Sequence, residues 1–193
     1  MATHLHVRSA YTLLNSTLRI NDIIEYAKKY RLTSIALVDK NVMHGAMSFY
    51  YACKKANIKP IFGLEIEAMY QNEMYSFIVY ARNDIGYKQL LKLSTFINTN
   101  NETLTWEKLL TYDEGLIIAT SGDHDRLQSM LLNDELDKLQ ETLVVFSRSF
   151  KHFCVAISMN DSGLLNIKNN ILKNICKSLD LFTFALSRIY YAY

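Results

Sequence analysis

The strongest constraint on this chain is an alternation of two hydrophobic periods. Short apolar runs of strand length, "SIALVD" (34–39), "GLIIAT" (115–120), "HFCVAIS" (152–158) and "LFTFALSRI" (181–189), alternate with longer amphipathic stretches. Among the latter are "INDIIEYAKKYR", in which Ile20, Ile23, Ile24 and Ala27 form one stripe, "GAMSFYYACKKAN", "IGYKQLLKLSTFIN" and "LLNIKNNILKNICKSLD". "HLHVRS" opens the series as a further strand. "KPIFGLEIEAMY" (59–70) and "MYSFIVYAR" (74–82) read as two strands joined by a polar turn around Asn72. Repeated strand–helix units with nearly continuous apolar strands predict an α/β fold with a mainly parallel sheet. About seven such strands in one series favour closure into a barrel, and functional groups then belong at the C-terminal ends of the strands.

Composition narrows the function. Of the 193 residues, 50% are hydrophobic and 21% are charged, which excludes a disordered chain and is enough for one well-packed domain over 1–193. A net charge of +2 gives no domain-wide field for nucleic acid. Three scattered cysteines without a CxxC pair predict reduced, packed thiols in a reducing compartment. The first residues are too polar for a secretory signal, and no apolar run approaches the ~18 residues of a membrane span. The expected location is cytoplasmic. The last residues, "RIYYAY", follow an apolar strand without a closing helix, as in a segment of a longer polypeptide.

The polar residues at the predicted strand ends are His6 and Arg8, Asp39 and Lys40, Glu65, Asp123 with His124 and Asp125, and Arg188 with Tyr190. His4, His6 and Arg8 alternate on one strand face, a spacing that starts a metal site except that its third member is a cation. Simpler structural roles exist for several of them. His4 and His6 suit local hydrogen bonds at a strand end, Asp123–His124–Asp125 suits a helix N-cap with an acidic first turn, and His44 suits a turn. There is no GxSxG elbow, no phosphate-cradling glycine loop and no HExxH.

"THLHVRSAYTLLNS", "IALVDKNVMHGAMSFYYACKKANIKPIFGLEIE" and "IVYARNDIGYKQLLKLS" resemble the PHP (polymerase and histidinol phosphatase) domain at the front of the bacterial DNA polymerase III alpha subunit. The likeness runs from residue 3 to about 122 and returns at "FALSRIYY"; Asp39 to Glu65 is its most specific block. It implies a distorted (β/α)7 barrel, cut short near its last strand, which in active relatives gathers divalent metals for phosphoester hydrolysis or proofreading. Carried over position by position, most ligands are lost. The family's HxH pair falls on His6 and Arg8, an aspartate on Asn15, the histidine of TDH on Lys40, a histidine on Ser76, and the closing DxH on Arg188 and Tyr190. His6, Glu65 and Asp123 remain as remnants.

Physics points the same way. A catalytic metal needs at least three converging imidazoles or carboxylates, and a unit charge ~4 Å away is worth ~4 kcal/mol at an effective dielectric near 20. Arg8, Lys40 and Arg188 in one pocket would repel a divalent ion and neutralise Asp39, Glu65 and Asp123. The expectation is a salt-bridge cluster in place of metals, with no catalytic residue and no cofactor in this domain. That describes a silent scaffold of a DNA-directed DNA polymerase whose Mg-dependent nucleotidyl-transfer site lies elsewhere in the parent chain. Its expected partners are the other polymerase domains, primer–template DNA and the sliding clamp. Two alternatives stay open: a residual metal-dependent phosphoesterase or 3′–5′ exonuclease using His6, Glu65, Asp123 and His124, and a phosphate-binding module using Arg8, Lys40 and Arg188.

Overall fold

A computed structural model describes residues 3–12, 16–99, 102–122, 125–159 and 163–189. In chain order the elements are β1 (His6–Val7), α1 (Ile20–Lys29), β2 (Ser34–Lys40), α2 (Ala46–Ala56), β3 (Lys59–Tyr70), β4 (Glu73–Ala81), α3 (Asp84–Thr99), α4 (Trp106–Leu110), β5 (Leu116–Thr120), α5 (Arg126–Leu132), α6 (Leu136–Ser149), β6 (Phe153–Ser158), α7 (Gly163–Ser178), β7 (Thr183–Leu186) and β8 (Arg188–Ile189). Strands β2 to β7 form one curled sheet in sequence order, and β1 pairs in parallel with β8. This small pair bridges the ends of the sheet. One residue, Ser187, separates β7 from β8, and the chain leading into β1 touches β2, where Ala36 N donates to His4 O at 3.0 Å. The barrel expected from the sequence is thus a curled six-stranded half-barrel whose open side is spanned by the β1–β8 pair.

The sheet is less parallel than the sequence suggests, because β4 runs antiparallel to both β3 and β5. A two-residue connection can join only antiparallel strands. Gln71 (φ 50°) and Asn72 (φ 62°) both lie in the left-handed region that a tight hairpin turn of the mirror-image type requires.

Strand alternation sorts the side chains into three clusters. Leu64, Ile66, Phe77, Val79, Leu116 and Ile118 face outward under α3 to α7, where Trp106 stacks on Phe146 with ring centroids 4.4 Å apart. Val7, Ile35 and Leu37 pack under α1 and α2. The interior of the ring holds Ala36, Val38, Ile78, Tyr80, Ala119, Cys154, Ala156 and Leu186, mostly small side chains that suit a narrow lumen. Cys53, Cys154 and Cys176 are buried and free, and burial pushes their thiols up to about 11, 12 and 11, so they are inert packing groups. Among the described residues no helix is long and apolar enough to cross a membrane.

Candidate functional site

The lumen turns polar at the strands' C-terminal end. On β3, Leu64 and Ile66 point outward, so Glu65 between them points inward, and its carboxylate is almost wholly buried. Parallel register places Lys40 beside Glu65 and Arg188 beside His6. His6 is fully buried, and its Nε2 lies 2.9 Å from Glu65 Oε2. Arg8, one step further along the same face, donates from its guanidinium to that same oxygen and is itself buried. Burial alone would raise the Glu65 carboxyl; the hydrogen bonds and charges of His6 and Arg8 overcome it and hold the group at about 2. Glu65 is a permanent anion, clamped from both sides.

Asp39 and Lys40, adjacent on β2, necessarily point to opposite faces, so the structure does not gather them into one cluster. Asp39 shares the outward face of Leu37 and is held by hydroxyl and amide donors. Its Oδ1 accepts from Ser9 N at 2.7 Å and Thr12 Oγ1 at 2.8 Å, and its Oδ2 accepts from Ser9 Oγ at 2.8 Å. Burial raises its carboxyl, outweighing these hydrogen bonds and a weaker pull from Arg8. Lys40 reaches Glu67 Oε1 at 3.0 Å near the rim, where both side chains are partly exposed. Ser76 stands opposite Glu67 on β4 and contributes its backbone, accepting from Ser121 N at 3.2 Å. Asp125 caps α5, accepting from Gln128 N at 2.8 Å, while His44 is an exposed turn residue. Asn15, Asp123, His124 and Tyr190 lie outside the described residues, as does the side chain of Arg188.

Sequence reasoning missed four contributors: Ser9 and Thr12, which hold Asp39; Glu67, the partner of Lys40; and Asn41. Asn41 ends β2 in the left-handed conformation (φ 62°), and its N–H donates to Glu65 O at 2.9 Å. The signal for the first two was available in "VRSAYT", hydroxyl residues directly after a strand end.

Among the described residues no three His, Cys, Asp or Glu side chains are placed to hold an ion, and Arg8 occupies the Glu65 oxygen that would have to bind one.

The PHP domain profile matches residues 4–162, most of the chain. The chain belongs to the PHP family. Among curated relatives, the DNA polymerase III subunit alpha of Halalkalibacterium halodurans is 38% identical over 141 residues, covering 71% of this chain and 13% of that protein. The Bacillus subtilis subunit is 32% identical over 151 residues, covering 76% and 14%. The chain thus spans about one seventh of the length of these relatives. Among solved structures, a Chromobacterium violaceum amidohydrolase with bound sulfate and no metal superposes at TM-score 0.68 and 9% identity, covering 98% of this chain and 88% of that one. A metal-dependent-phosphoesterase-like protein of Bifidobacterium adolescentis gives 0.65 at 11%, covering 98% and 87%. At such identities these structures speak for the PHP fold alone.

Proposed function

We propose that this PHP domain is a catalytically silent scaffold of a bacterial replicative DNA polymerase, working in the cytoplasm as one domain of a longer polymerase III alpha chain. One observation carries the reading: Glu65, the carboxylate at the family's ligand position, is neutralised by Arg8 and His6 inside the lumen. In active relatives divalent ions would balance the converging carboxylates and activate a water; here the buried Arg8 guanidinium supplies the charge balance, and it cannot turn a water into a hydroxide at neutral pH. The segment has structural work to do and no hydrolysis to perform. Polymerisation, Mg²⁺, primer–template DNA and the sliding clamp belong to the rest of the polypeptide. The same pairing speaks against a phosphate site, since Arg8 and Lys40 are each committed to a carboxylate.

Elemental analysis of protein purified without chelator tests this, together with phosphatase and 3′–5′ exonuclease assays with and without EDTA. The expected result is far less than one zinc or manganese per chain, and no chelator-sensitive hydrolysis. Stoichiometric metal accompanied by EDTA-sensitive cleavage would overturn the proposal and restore the phosphoesterase reading.

A further inference from the structure

The pole of the barrel opposite Glu65, where the parallel strands begin, carries a large open groove. Leu5, Ile61, Ile117, Phe153 and Phe184 line a recess of about 710 Å³, with Phe182 at its lip. Phe182 is 72% exposed, a large apolar side chain held in water beside an apolar floor. A second recess of about 440 Å³ shares Ile61, Ala81 and Arg82 with the first and continues to Tyr50 and Met47, both exposed.

The rim is cationic. Arg82 stands between the two recesses and donates to His152 Nε2. Lys151 and Lys59 flank it, and Asp84 is the acidic residue lining the second recess. Among the described residues, none of Arg82, Lys59 and Lys151 has a carboxylate within ion-pair distance. An apolar, aromatic-lipped floor rimmed by three cations, with Asp84 the acidic residue in its lining, is complementary to apolar anchors flanked by carboxylates.

We infer that this groove docks a short acidic peptide segment of a partner protein, with leucine or aromatic side chains seated beside Phe182 and Phe184 and aspartate or glutamate facing Arg82 and Lys151. A nucleic-acid strand fits less well, because the domain's net charge of +2 offers little attraction to a polyanion.

The test is selection of random dodecapeptides displayed on phage against this chain, followed by fluorescence anisotropy of the enriched peptides and of a ten-nucleotide oligo-dT. The expected peptides pair Leu, Phe or Trp with Asp or Glu and bind more weakly as salt rises. Arg82→Glu and Phe182→Ser should each weaken them by about tenfold or more, while Lys173→Glu on α7 leaves them unchanged. Both groove side chains are exposed, so these variants keep the fold; if melting shows otherwise for either, Lys151→Glu replaces it. Enriched peptides without acidic residues, affinities indifferent to both groove variants, or a preference for oligo-dT would each overturn the inference.

Discussion

A single oxygen, Oε2 of Glu65, accepts from both Arg8 and His6 in a space without bulk water. Removing one partner of such a pair costs more than the pair itself contributes, because a buried charge is left behind. Arg8→Met should therefore destabilise the domain by about 3–5 kcal/mol in urea unfolding, and the double variant Arg8→Met/Glu65→Leu should recover most of that loss. Lys40→Glu, at a partly exposed rim, should stay within about 1 kcal/mol. Stability also follows pH with a definite sign. Glu65 drops from an ordinary 4.5 to about 2 on folding, so its contribution is complete above about 4.5 and disappears as pH falls through 2. Asp39 is shifted the other way, so its ionisation opposes folding at neutral pH and acid relieves that cost. Below pH 4.5 the Glu65 loss dominates. Stability measured from pH 4.5 down to 2 should fall steeply in the parent chain, by about 3 kcal/mol from this group, and markedly less in Glu65→Gln.

At the scale of elements, β4 sets the geometry that a parallel sheet could not. It enters from a tight hairpin and leaves into α3, whose first turn must pass directly over the residue that opens β5. The passage is possible because two glycines meet there. A Cβ on Gly86 would lie 1.9 Å from Gly115 O, and Gly115 itself sits at φ +74°. Asn83 completes the joint, its Oδ1 accepting from Gly86 N at 3.0 Å. Gly86→Ala has no flexible neighbour to displace, only backbone, so it should cost at least about 3 kcal/mol, read as a lowered melting temperature and urea midpoint.

Across the whole molecule, the ring is strong on one side and thin on the other. β3 and β4 are paired over eight residues and β4 is bonded on both edges, whereas β1 and β8 share a register of two. The candidate site hangs on the thin side, since His6 and Arg8 lie on or just after β1. Native-state hydrogen exchange should find the Arg8 amide, which donates to Ile189 O, exchanging about two orders of magnitude faster than those of Ile78 and Val79 in β4. Equal protection at these positions would mean that the ring opens only by global unfolding. Because Glu65 belongs to the strong side and Arg8 to the thin one, their buried ion pair fastens the ring at its weakest seam.

The sequence by itself determined the order and type of the elements, the barrel class and the PHP kinship, because period-two and period-3.6 patterns and the Asp39–Glu65 block are local properties of the chain. It also put His6 and Arg8 at the end of β1, since alternation alone places them on one face, whereas Glu65, read as a strand end, lies midway along β3. Only the tertiary structure decided which polar groups meet. Asp39 and Lys40 are neighbours in sequence, yet the pleat sends one to Ser9 and Thr12 on the outside and the other to Glu67 on the lumen rim. The two recesses of the basic, aromatic-lipped groove at the far pole were equally hidden. Their residues, Leu5, Arg82, Lys151 and Phe182 among them, lie far apart along the chain and become neighbours only when the ring closes, and contacts between distant residues leave no periodic trace in a sequence.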